Sequence, residues 1–338
     1  MEQHEVWNNL MEMKKEDRNK QTLFPLRLPA EIQDETLKKL GVVETLKLLK
    51  VTKSLRCWAL RNAKMQLSDW IPDGTSTRAY MANASRNRPG GQTCGDAHRV
   101  VITHKDAQSE YIHANYVATP SSERRFICTQ GPLDETIADF WLMMLQEESD
   151  TIVMLCDFVD NEGYTKCAQY FPRNENQTMR ITEKLEITNV EAHHQIVDEM
   201  SWLKIRHFMW EGWREGEVPS CLRTPIKLLA QIRGSQKPIV MHCGGGTGRT
   251  SILVAIEYLL ECSNLKTGIP PMCHLMKELR SYRLWSILFD LQYLYIHRVI
   301  FDHFLDRQKA KFQVFHQEKN RAKYEKFVKD YKGPLQGF

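Results

Sequence analysis

Residues 240–251 read VMHCGGGTGRTS. An apolar run, QIRGSQKPIVMH, leads into this stretch, and RTSILVAIEYLLE, with the apolar spacing of a helix, leads out of it. The pattern predicts a buried strand, a glycine turn and a helix. Successive backbone N–H groups in such a turn form a concave anion site, and the following helix N-terminus adds positive potential. Glycine permits the dihedral angles required. A cysteine in that field, Cys243, is expected to have a depressed pKa and to be present as the nucleophilic thiolate. Arg249 offers a planar fork matching two phosphate oxygens, and Thr250 offers a hydroxyl to the sulfur. This chemistry suits attack on a phosphate monoester through a cysteinyl-phosphate intermediate. An ordinary strand–turn–helix with a buried cysteine is the alternative that these twelve residues leave open.

The chain has 338 residues and a formal net charge of +4, with 26% charged and 42% hydrophobic residues. Those fractions are those of a soluble globular protein, long enough for one large domain with extensions. The charge is uneven: residues 307–338 hold nine Lys/Arg against three acids. The nine cysteines are odd in number and include no C-x-x-C pair, which favours free thiols in a reducing compartment over disulfides or a zinc site. The opening MEQHEVWNNLMEMKKEDRNK is too polar for a signal peptide, and no apolar run is long enough for a transmembrane segment. A cytoplasmic or nuclear location is therefore expected.

Residues 1–50 are read as an N-terminal extension, partly helical, with leucines at helical spacing from residue 36. The stretch 51–306 is read as the main domain and 307–338 as a basic helical tail. Within the domain, RVVITH, YIHANYVAT, RRFICTQ, DTIVMLCDF, KCAQYFP, MRITEKLEITNV and WLKIRHFMW are predicted strands. ETIADFWLMMLQEES, CLRTPIKLLAQIRG, residues 250–262, residues 271–280 and QYLYIHRVIFDHFLDRQKAKF are predicted helices. Strands first and helices later indicate an α/β (α+β) domain with a mixed sheet and helices on both faces.

The ordered motifs resemble those of the phosphotyrosine-specific protein tyrosine phosphatase family. Its signature H-C-S-x-G-x-G-R-[ST]-G aligns to His242 through Ser251, with Gly244 in the place of Ser, and with Gly244, Gly245, Gly246, Thr247 and Gly248 as the phosphate-binding loop. Y-I-x-A-N-Y is met by Tyr111 to Tyr116, T-Q-G-P-L by Thr129 to Leu133 and D-F-W by Asp139 to Trp141. K-C-x-x-Y-W-P is met by Lys166 to Pro172, with Phe171 for Trp, and the late Q-Y by Gln292 and Tyr293. The flanks separate the chain from other H-C-x5-R families such as the dual-specificity phosphatases. The resemblance implies one twisted mixed sheet flanked by helices, a strand–phosphate loop–helix active site, no cofactor and no metal. It also implies a phosphotyrosine-bearing or other protein partner, and hydrolase chemistry in signal transduction. Within it, Cys243 is nucleophile, Arg249 binds phosphate, Glu215 is general acid, and His242, Thr250, Gln292 and Lys166 support them.

Several positions depart from the family pattern. The phosphotyrosine loop N-R-Y-x-D aligns to Asn87-Arg88-Pro89-Gly90-Gly91, so Pro89 replaces the ring-stacking tyrosine and Gly91 the acid that grips the substrate backbone. Losing that stack is expected to weaken ring recognition by about 1 kcal/mol. The acid loop W-P-D-x-G-V-P aligns to Trp213 through Pro219, with Glu215 for Asp and Arg214 for Pro. Glu215 is one methylene longer, and Arg214 is expected to favour its ionised form. Leu288 replaces the first glutamine of Q-T-x-x-Q and cannot orient the water that frees phosphate from sulfur.

These departures leave two readings: a phosphate reader with impaired or absent turnover (a pseudophosphatase), and a working tyrosine phosphatase. A third has the chain as a scaffold, whose tail interleaves bases with Phe312, Phe315, Tyr324 and Phe327 and offers either a helix packing its aromatic stripe on the domain with its bases in water or weak binding to an anionic surface. A metal site at His193-His194 is not expected, since no carboxylate pair lies nearby. Cys128 and Cys167 are read as small core residues, and Trp202, Trp210 and Trp285 as packing.

Overall fold

The computed structural model describes residues 70–190, 193–198, 201–265 and 267–307. The expected N-terminal extension and the basic tail beyond Arg307 lie outside these residues. Among the described residues, nine strands form one sheet in the order β1-β2-β3-β9-β4-β8-β7-β6-β5. In chain order they are β1 (Arg99–Val101), β2 (Tyr111–Thr119), β3 (Ser122–Gln130), β4 (Thr151–Met154) and β5 (Thr178–Arg180). They continue with β6 (Leu185–Val190), β7 (His193–Asp198), β8 (Ser201–Met209) and β9 (Ile239–Cys243). The helices are α1 (Arg78–Ala82), α2 (Ile137–Gln146), α3 (Arg223–Ile232), α4 (Arg249–Leu265), α5 (Met272–Tyr282) and α6 (Asp290–Arg307).

The middle of the sheet is parallel: β9 lies between β3 and β4, and β4 pairs with β8. Both flanks are antiparallel. A parallel strand covered on both faces reads as a continuous apolar run. That is the character of β9, IVMHC, buried throughout, and of its neighbour β4, TIVM. Ile239, Val240 and Met241 meet Ile152, Val153, Phe126 and Ile127 in one core with Leu253, Val254 and Ile256 of α4. Helix α4 packs against β9, α3 and α6, so the glycine turn joins the most buried strand to a buried helix.

Two predicted strands are corrected. KCAQYFP is not a strand: Lys166 and Cys167 N–H donate to Phe158 O, and Ala168 N–H to Pro132 O. Cys167, Tyr170 and Phe171 are buried in this coil because side-chain packing produces the same apolar signal as a ladder. MRITEKLEITNV is two strands, since Thr182 N–H turns back to Leu185 O and Arg180 pairs with Glu186. His193 and His194 lie not between strands but on β7, in register with Arg206 and Ile205 of β8. No helix among the described residues is long and apolar enough to cross a membrane.

Candidate active site

Strand β9 delivers Cys243 to its C-terminal end, and α4 begins six residues later at Arg249. The carbonyls of the intervening loop are held from outside. Gly244 O accepts from Gly131 N–H at 3.0 Å, and Gly245 O from Arg283 Nη2 at 3.0 Å. Gly246 O accepts from Arg283 Nε at 3.2 Å, and Thr247 O from Ile287 N–H at 3.2 Å. A trans peptide points its N–H opposite its C=O. Outward carbonyls therefore turn the amides of residues 245–248 inward, and Gly246 N–H lies 3.2 Å from Cys243 Sγ. Gly246 has φ +70°, and a Cβ there would sit 2.1 Å from Thr129 O, so only glycine fits. The loop is an anion cradle built around the sulfur.

Arg249 is buried beside it, and its Nη1 donates to Trp213 O at 2.7 Å. That bond draws in the segment carrying Glu215, whose Oε2 lies 3.9 Å from where a Cβ on Gly244 would stand. Lys166 Nζ is 3.2 Å from Glu215 Oε2 and 3.2 Å from Asp160 Oδ2. Burial pulls the Lys166 pKa down, but its bonds to Glu215 and Asp160 outweigh that and hold it above the ordinary lysine range. Arg214 Nη1 is 3.7 Å from Glu217 Oε1. The cation paired with Glu215 is Lys166. Thr250 Oγ1 is buried without a hydrogen-bond partner among the described residues. His242 Nε2 meets Tyr170 OH at 2.7 Å, and that hydroxyl also meets His207 Nε2 at 2.6 Å.

The ordered motifs of the sequence brace this site from behind. Asp139 is ion-paired with Arg86, one residue before Asn87. Tyr111 OH donates to Asn87 Oδ1 at 2.6 Å, and Gln130 Oε1 accepts from Arg88 N–H at 3.1 Å. Arg88 Nε reaches Gly244 O at 3.3 Å, so the loop carrying Pro89 and Gly91 is tied to the start of the cradle. Pro89 is exposed. On the far side, Gln292 is 1% exposed, and its Oε1 accepts from Leu288 N–H at 3.0 Å and Phe289 N–H at 3.4 Å. Its Nε2 packs on Gly248, 2.9 Å from where a Cβ would stand. Gln292 is thus engaged in holding the turn that bears Leu288.

Sequence reasoning missed Arg283, Asp160 and Phe289. Arg283 is fully buried and bonds Asn115 Oδ1 at 2.7 Å and His113 Nδ1 at 2.9 Å as well as the cradle. Nothing in RSYRLW separates a buried arginine from one on a solvated helix face. Trp285 and Ile287, either side of Ser286 on the same segment, have φ of +63° and +57°. Those left-handed values strain a bulky or β-branched residue and are held here by the bond of Ile287 N–H to the cradle. Trp285 donates its indole N–H to Thr93 Oγ1 at 2.7 Å, while Trp210 is buried, in keeping with packing roles. Trp202 falls on β8 opposite Val197. Cys128 and Cys167 are buried free thiols.

A family model described as protein-tyrosine phosphatase matches residues 83–302. The chain is 30% identical to the tyrosine-protein phosphatase Lar-like of Caenorhabditis elegans over 234 residues, covering 65% of this chain and 10% of that protein. Receptor-type tyrosine-protein phosphatase F is 28% identical in Danio rerio and 27% in Homo sapiens, each over 65% of this chain and 12% of the relative. The chain therefore spans about a tenth of the length of these relatives. Among solved structures, one described as the structural basis of the PTPN18 fingerprint on distinct HER2 tyrosine phosphorylation sites superposes with a TM-score of 0.64. It is 20% identical and covers 78% of this chain and 98% of its own.

Proposed function

The chain belongs to the protein-tyrosine phosphatase family, and from that premise we propose that it binds phosphotyrosine or a similar phosphate monoester and turns it over slowly or not at all. The observation carrying this reading is the cradle: the Gly246 amide on Cys243 Sγ, with Arg249 buried beside it. Inward amides and a guanidinium complement a dianionic phosphoryl group. The names of the relatives and the phosphorylation sites named for the structural neighbour point to the same ligand class.

In this reading Cys243 Sγ attacks phosphorus, an S–P bond forms as the P–O bond to the aryl group breaks, and Glu215 gives its proton to the leaving phenolate. Cys243, Arg249 and Glu215 carry that step, with Lys166 and Asp160 positioning the acid. Release of phosphate then needs an oriented water. The Leu288 side chain has no hydrogen-bonding group, and Gln292 Oε1 is already bonded to two backbone amides. The phosphocysteine accordingly persists, and the protein keeps the phosphoryl group after the phenol has left rather than cycling. The basic tail is proposed to give weak binding to an anionic surface.

The test is a rapid-mixing assay with 4-nitrophenyl phosphate on the full chain beside Cys243→Ser. One equivalent of phenolate released in a burst, with a phosphorylated protein by intact mass, supports the reading. Sustained turnover without a burst supports the working phosphatase, which the approach of Glu215 to Gly244 favours. Absence of any phosphate binding leaves only the scaffold.

A further inference from the structure

Phe289 is a large hydrophobic residue left 46% exposed. It stands on the turn that Gln292 ties to the end of the cradle, its own N–H bonded to Gln292 Oε1. Its ring lies against the acid loop: Cε2 is 3.7 Å from where a Cβ on Gly216 would stand. Gly216 has φ +80° and no side chain, so the ring meets the loop one residue from Glu215 without a competitor for that space. Half-buried Leu288 precedes it. Across the cradle, at the Gly244 end, Arg88 holds exposed Pro89 in place. The anion site thus has an apolar residue on the segment tied to each end, Pro89 through Arg88 and Phe289 through Gln292, and the aromatic one is Phe289.

An exposed ring against the acid loop of a site with a buried cation and inward amides suits a ligand with a charged head and a flat apolar body. We infer that Phe289 is the specificity-determining wall of the site, stacking on the aryl group of a phosphate monoester opposite Pro89, and so takes over ring recognition from the 87–91 loop. This rests on the reading that the cradle binds phosphate. It assigns the selectivity for aryl over alkyl esters to the residue after Leu288, at the second position of the Q-T-x-x-Q loop.

The test is calorimetric binding of phenyl phosphate, ethyl phosphate and inorganic phosphate to the full chain carrying Cys243→Ser, with and without Phe289→Ala. Phenyl phosphate is expected to bind roughly 5- to 10-fold tighter than ethyl phosphate, the range of one aromatic pair. In Phe289→Ala that ratio falls to about 1 while inorganic phosphate affinity is kept, and Phe289→Trp restores it. An unchanged ratio in Phe289→Ala overturns the assignment. Equal weakening of all three ligands also overturns it, because the ring then acts only by holding the acid loop. Failure of inorganic phosphate to bind the parent chain brings down the cradle reading, and this inference with it.

Discussion

Lys166 Nζ lies 3.2 Å from Glu215 Oε2 and the same distance from Asp160 Oδ2, which places one ammonium between a fixed loop and the segment bearing the candidate acid. Glu215 is half exposed, so the pair contributes little to folding, ~0–1 kcal/mol. Its consequence is kinetic. Lys166→Met is expected to leave the melting temperature nearly unchanged while slowing the phenolate burst roughly tenfold, since small displacements of an acid are costly. Glu215→Gln slows the burst with phenyl phosphate by about 10²–10⁴-fold and has a far smaller effect with 4-nitrophenyl phosphate, whose leaving group needs no proton. Single-turnover rates with the two esters decide this; equal losses on both rule Glu215 out as proton donor.

Leu288→Gln tests the block at phosphate release. The side chain is half-buried next to the turn, and glutamine is close in volume. The variant is expected to convert the burst into sustained turnover, with a steady-state rate up by about 10²-fold, the scale of one well-placed group. Persistence of phosphocysteine in Leu288→Gln, read by intact mass, contradicts the assigned cause.

Gly246→Ala tests the cradle. The new Cβ would meet Thr129 O at 2.1 Å from a backbone at φ +70°, and neither atom belongs to a flexible side chain. A loss of roughly 3 kcal/mol or more is expected, together with loss of phosphate binding. Gly245→Ala is the control: its nearest contact would be Thr247 Oγ1 at 3.6 Å, so it retains both. Urea unfolding with and without phosphate separates the two variants.

His113 makes stability pH-dependent. Its Nε2 donates to Gln92 O at 2.8 Å and its Nδ1 accepts from Arg283, so the ring is neutral in the folded chain. Burial first, then the Arg283 charge, lowers its pKa from 6.5 to about 3. Between those values the unfolded chain binds one more proton than the folded chain. The stability it protects is complete above pH 6.5 and is lost as pH falls toward about 3, at about 1.4 kcal/mol per pH unit. His113→Gln keeps one donor and one acceptor without titrating. Its urea midpoint is expected to fall less steeply on acidification, by the equivalent of one proton.

Arg283→Met removes the guanidinium that holds Gly245 O, Gly246 O, Asn115 and His113. Orphaning those buried acceptors is expected to cost about 3–5 kcal/mol. Phosphate affinity should fall in parallel, because the cradle carbonyls lose their outer partner. Thermal melts in phosphate check both, and an unchanged phosphate-induced shift in melting temperature counts against the bracing role.

Much of the fold was legible, for local reasons. The central strands are apolar runs with both faces covered, and periodicity finds such runs directly. KCAQYFP misled because a buried coil carries runs of apolar side chains as a buried strand does, and backbone hydrogen bonds distinguish them. β7 was missed because HHQIVD has few apolar residues; its partner β8 supplies the ladder. Arg214, next to Glu215 in sequence, has its guanidinium by Glu217. Lys166, distant in sequence, reaches the carboxylate instead.

Read alone, the amino-acid order determined the strand, the glycine turn and the helix around Cys243, because each follows from neighbours a few positions apart. It also named the replaced positions Pro89, Glu215 and Leu288. Only the tertiary structure decided what braces the turn and what flanks its mouth. Arg283 beneath the loop, Asp160 behind Lys166 and Phe289 over Gly216 are brought together by strand order and loop packing. Such contacts join residues remote along the chain, and no local spacing encodes them.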